Sequence, residues 1–368
     1  MSTETGARMA TNDVRDGELV TTEPPAVTVV TTPAEDAVTA TLGALLVGGS
    51  LADAWAHTNI LNELESFFTP WHALLYGGFT ATAAWTYWLA YRRRRTGARR
   101  WWRDGWPAGY AVGALGVLLF LAAGIGDMIW HTIFGIEKGL DTAYSPSHIA
   151  IVIGGTLLLT SPARSWWANR SDPRRAASGI LSLALGTVFA TILLGHTTAL
   201  LSVAPTHPYD YVDDSRSTVE AAFGLTKYLV STLVIAIPVL MAYRRRATFG
   251  TATAVVAALS LFAMTQFEFP APLSAAALAA TVAAVIVDLI VVRIDAVRGR
   301  DAPLRLPIAG ALLATLVWSG HLLGLHFASG VKWPVEMWAG NLVFTALLGA
   351  LVGGLAAGSP SRTAVPTT

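Results

Sequence analysis

Ten stretches of this chain are apolar over about the length that crosses a lipid bilayer, and polar or basic segments separate them. They lie at about 36–58, 69–91, 107–133, 146–163, 177–204, 219–243, 250–268, 273–295, 305–328 and 334–357. The pattern predicts an all-α fold, a polytopic membrane bundle of about ten transmembrane helices in five hairpins. Three further regions follow from it: a disordered polar tail over 1–35, a duplicated two-hairpin unit over 36–163, and a six-helix region over 164–357. A short polar tail closes the chain from 358 to 368.

Composition narrows the class. Hydrophobic residues make up 53% of the 368 positions and charged residues only 13%. With a mean hydropathy of +0.51, the apolar runs are too many for a soluble core. There is no cysteine, which excludes disulfides, thiolate metal sites and cysteine nucleophiles. Nothing calls for nucleic acid, and membrane lipids are the surroundings the composition implies. Residues 1–35 lack the basic-then-apolar order of a signal peptide.

Net charge is only +1, but its distribution carries information. Arginines cluster at 92–95, 99, 100 and 103, at 164, 170, 174 and 175, at 244–246, and at 293, 298, 300 and 305. These clusters fall on every second connection, so the positive-inside rule makes those loops and both termini cytoplasmic in the cell membrane. The opposite side is acidic. All eight histidines lie there as well, in outer loops or the outer parts of spans.

Four of those histidines belong to a pattern that occurs twice. The first copy is Asp53, His57, Glu63, Pro70 and His72; the second is Asp127, His131, Glu137, Pro146 and His148. Asp and His four residues apart share one helix face. After a short loop, Thr69-Pro70 and Ser145-Pro146 suit a helix cap and first turn, which returns His72 and His148 to the same depth. Each hairpin can then aim two imidazoles and one or two carboxylates at a point. Such a set suits copper(II), iron or zinc. Glu63 and Glu137 are candidate outer partners or proton carriers, and His196 and His321 candidate further ligands. A hydrogen-bonded Asp–His network that caps the hairpins without metal explains the same residues, and a bis-imidazole haem through His57 and His131 is a less fitting option beside carboxylates.

Asp-x-x-x-His followed by another His resembles the metal motif in the C subunit of the copper membrane monooxygenases, over about 20 residues in each copy. The likeness implies Asp53, His57 and His72, or Asp127, His131 and His148, as metal ligands. Here 14 residues separate the two histidines in one copy and 16 in the other, more than in that family, and the motif is doubled.

Several ionisable residues have blander expectations. His207 reads as a solvated loop residue, and His326 diverges from His321 on a regular helix. Lys227 is expected to snorkel outward beside Glu220 or nearby aspartates, and Asp288 to pair locally near Arg293. No phosphate-binding glycine loop, His-Glu-x-x-His or nucleophile elbow is present, and neither are the histidine boxes of membrane desaturases. Three readings remain: a metal-dependent oxidoreductase, monooxygenase-like, on a small or lipid-soluble substrate; a transporter or metal-handling permease; or a structural membrane protein without metal.

Overall fold

The computed structural model describes residues 29–60, 68–96, 100–137, 139–169, 172–212, 215–245 and 248–358. Among them there is no β-strand. The helices are α1 (Pro33–Asn59), α2 (Pro70–Tyr91), α3 (Trp101–Asp104), α4 (Ala111–Phe134), α5 (Leu140–Tyr144), α6 (Pro146–Leu159) and α7 (Ser161–Ala168). Then come α8 (Ala176–Thr191), α9 (Ser215–Arg245), α10 (Thr251–Gln266), α11 (Ala271–Arg298), α12 (Arg305–Ser329) and α13 (Val335–Ala357). The protein is an all-α, multi-pass membrane bundle. Among the described residues eight helical segments are long and apolar enough to cross a membrane, with α6 and α7 counted as one bent segment and α8 counted with its flanking turns. The other two expected spans fall on α2, long enough but richer in Thr, Tyr and Trp, and on α10, an apolar helix of 16 residues.

Local chemistry fixes the helix starts. Thr32 and Glu35 form a reciprocal capping box and Pro33 opens α1, so the helix starts inside the expected tail. Thr69 accepts from the His72 backbone N–H (3.1 Å) at the head of α2. Ser145 occupies the matching place before α6 but makes no cap bond; its hydroxyl meets Ser147 Oγ instead (2.9 Å).

Each hairpin closes on glycine. A Cβ at Gly78 in α2 would lie 2.6 Å from Leu46 Cα in α1. One at Gly154 in α6 would lie 2.7 Å from the Gly116 carbonyl oxygen in α4. Only a bare backbone permits these approaches, and small residues are the usual means of close helix packing in membranes. Gly78 and Gly154 both lie six residues beyond their hairpin's second histidine.

At the arginine-bearing end, fully buried Asp36 accepts from Arg175 Nη1 (2.5 Å), Tyr110 (2.8 Å), Thr31 (2.8 Å) and Ser165 (3.0 Å). Asp288 does not pair with Arg293. Its carboxylate accepts from the backbone N–H groups of Ala252 (3.1 Å) and Thr253 (2.9 Å) and from Tyr243 (2.6 Å), capping α10, which begins after Gly250 and lacks a capping side chain of its own.

The fifth expected span, 177–204, is not one helix. Regular α8 stops at Thr191, and 3₁₀ turns follow over Ile192–Thr197 and Ala199–Leu201. Side chains meet part of the backbone's demand at the break. Thr191 donates to the Thr187 and Val188 carbonyls (both 3.0 Å), and Ser231 accepts from the Ala199 N–H (2.8 Å). Irregular backbone at membrane depth is tolerated where it lines a cavity, and this segment does.

Candidate metal centre

The outer ends of α1, α2, α4 and α6 bring the duplicated residues together. His57, His72, His131 and His148 form a closed four-membered ring of imidazoles. Successive ring centroids are 5.9 Å (His57–His72), 6.0 Å (His72–His131), 5.8 Å (His131–His148) and 6.4 Å (His148–His57). Two imidazoles on one tetrahedral ion, with nitrogens ~2.1 Å from it, have centroids about 5 Å apart, so this ring is near that spacing.

The carboxylates sit in equivalent places. Asp53 Oδ1 is 3.5 Å from His72 Nε2, and Asp127 Oδ1 is 3.1 Å from His148 Nε2. In each hairpin the first helix's Asp therefore meets the second helix's His. Asp127 Oδ2 is also 3.6 Å from His131 Nε2, which brings the second copy's three candidate residues onto one carboxylate. Asp127 and His131 are buried, as is His72.

The second hairpin also fixes its tautomers. His148 Nδ1 donates to the Thr142 carbonyl (2.9 Å), because a carbonyl can only accept. In the neutral ring its lone pair is then on Nε2, aimed at Asp127 Oδ1, which already accepts from Ser147 Oγ (2.8 Å). Gly135, with φ of 81°, ends α4 and folds its carbonyl back to His131 Nδ1 (3.3 Å). Glu137 Oε2 approaches the same nitrogen at 3.2 Å. Both histidines thus turn Nε2 toward Asp127. A lone pair facing an ionised carboxylate is repulsive unless a cation, proton or metal, lies between them.

The first hairpin is less tightly tied. His57 Nδ1 is buried and meets no hydrogen-bond partner among the described residues. The place of Ser147 is taken by Trp71, whose ring packs 5.6 Å from that of Trp55. Glu63 lies outside the described residues.

Three groupings of candidate ligand atoms, each within 4.8 Å of one another, result: Asp53–His57–His72, His72–Asp127–His131 and His131–Glu137–His148. The first and third share no residue, and the second joins the hairpins. No protein-family model, curated protein or solved structure matches the chain.

A cavity of about 630 Å³ opens beside the cluster. Asp53, His57, His72, Asp127 and His148 form one wall. The broken segment after α8 forms another with Ile192 and His196, while Phe189 and Phe262 add apolar surface. At ~30 Å³ per water this is room for on the order of 20 molecules, far more than an ion's own waters require. His196 borders the cavity, its ring 6.3 Å from Tyr144, and belongs to none of the three groupings.

His321 lies elsewhere. It is fully buried, bonded through Nδ1 to Tyr228 Oη (3.0 Å) and walled by Trp318. His207 is exposed, 3.9 Å from Glu220, and His326 is exposed with Nδ1 accepting from the Val331 N–H (3.4 Å). Two further residues carry signals the sequence did not make legible. Ser147 has no counterpart in the first copy, and Lys227 borders the cavity. Glu220 is engaged by Arg216 (3.2 Å).

Proposed function

We propose that this protein is a membrane oxidoreductase of the cell membrane whose transition-metal centre is built from Asp53, His57, His72, Asp127, His131 and His148. One observation carries the metal: the Nε2 atoms of His131 and His148 converge on the Asp127 carboxylate while their Nδ1 atoms are tied to acceptors. A metal cation there turns that repulsion into ligation. The chemistry of the donors supports copper, iron or zinc, since all are imidazole nitrogen and carboxylate oxygen. Glu137 Oε2 stands 3.2 Å from His131 Nδ1, within reach of the carboxylate–histidine–metal arrangement that raises ligand basicity.

The adjoining cavity supports chemistry on a small, lipid-soluble substrate, and the likeness of both copies to the copper monooxygenase motif supports oxidation. A bound redox metal would supply one-electron chemistry; the protein's residues hold it, fix the imidazole tautomers and provide an apolar wall for the substrate. The test is turnover of short-chain alcohols and alkanes by metal-loaded protein in nanodiscs, with dioxygen and a reductant. Product that disappears in His72→Ala supports the reading. No product from protein with bound metal overturns the enzyme reading.

The break after Thr191 favours a second reading, a metal-handling permease, because discontinuous helices often line transport sites. Metal uptake into vesicles containing the protein would establish it. Asp288 and Asp295 do not extend a relay inward: the first caps α10 and the second pairs with Arg305.

A further inference from the structure

Lys227 stands in α9, about three turns into a membrane-spanning helix, and borders the cavity that holds the His/Asp cluster. Its ammonium lies 5.4 Å from the Phe223 ring. Among the described residues no carboxylate pairs with it: Glu220 serves Arg216, Asp53 faces His72, and Asp127 faces Ser147 and His148. An ionisable side chain at membrane depth is costly and ordinarily finds a partner, so a cation lining a cavity without one is poised for a ligand's charge. The surrounding wall is largely apolar, with Leu75, Ile151, Phe189, Ile192, Leu201 and Phe262. An ammonium beside an apolar wall selects an amphiphile that is negative at one end.

Resting on the metal-centre reading for what happens at the cluster, we propose that the cavity takes an amphiphilic carboxylate. Its head group pairs with Lys227 and its alkyl chain lies along Phe189, Ile192 and Phe262, beside the His/Asp wall. The bound anion supplies a counter-charge to Lys227, which pairs with no carboxylate among the described residues. Cations on the cluster would favour the same ligand, by offsetting the charges of Asp53 and Asp127.

The test compares decanoate with decanol, which has the same chain length and no charge. Binding to the full chain in phosphatidylcholine nanodiscs is measured by calorimetry against protein-free nanodiscs, and metal content is determined on the same samples. Wild-type protein should bind decanoate at least about tenfold more tightly than decanol. Lys227→Gln should abolish that preference and leave decanol binding unchanged, and Lys227→Arg should restore it. Lys227→Met, which keeps the aliphatic stem, serves in place of Lys227→Gln if the amide variant misfolds. Equal binding of the two compounds by wild type, or a preference that survives loss of the ammonium, overturns the proposal. Selectivity without bound metal would overturn the metal centre alone; metal without selectivity would overturn the anion site alone.

Discussion

His148 shows how one side chain is set up as a candidate ligand. The Thr142 carbonyl takes its Nδ1 proton, Pro146 starts the helix beneath it, and Asp127 stands across from Nε2. The Gly135 carbonyl does the corresponding work for His131, and Glu137 Oε2 stands 3.2 Å from the same nitrogen. Glu137→Gln should therefore weaken metal binding by about 10- to 100-fold without removing a candidate ligand of the central grouping, measured by competition with a chelator of known affinity. Protons compete with metal for imidazole nitrogen, whose ordinary pKa is ~6.5, so binding should hold at pH 7.5 and fall as pH drops toward 5. Titrating metal retention against pH checks the sign; retention that rises on acidification would be incompatible with histidine ligation. The six core residues were legible in sequence because their spacing is doubled. Ser147 and Asp36 were not, since a lone Ser carries no spacing signal and Asp36 finds its partner 139 residues away in Arg175. Asp36→Ala should cost about 3–5 kcal/mol by stranding Arg175 in a buried site, read as a lower unfolding midpoint.

At the level of elements, the hairpins could be read because proline after Thr69 or Ser145 marks where each second helix begins. The end of α8 could not. Ile192–Leu201 remains mostly apolar, and hydropathy does not distinguish a helix from 3₁₀ turns whose polar backbone is met by Thr and Ser side chains. Equally hidden were the contacts that hold the hairpins shut, since glycine is common throughout the spans. Gly154→Val would drive a branched side chain into the Gly116 and Phe120 backbones. The expected cost is about 1–3 kcal/mol, with metal content falling as His148 moves away from Asp127. Gly126→Ala, where an added Cβ meets nothing within 4 Å, is the control and should change neither.

Across the whole molecule, the two ends of the bundle carry different chemistry. One end gathers arginines and the Asp36–Arg175 network; the other gathers the imidazole ring and the cavity. Reporter fusions after Arg95 and after Asp141 should report opposite sides of the membrane, and a shared side would break the topology that separates these ends. The central claim is that the imidazole ring is a metal centre, and metal content by mass spectrometry tests it most directly. Purified wild-type protein, washed free of loosely bound ions, should carry at least one equivalent of one transition metal per chain. His131→Ala should lose at least half of it while remaining folded, and His207→Ala should lose none. Wild-type protein without stoichiometric metal, or His131→Ala with its metal intact, would contradict the claim and leave each Asp–His pair as a cap on its hairpin.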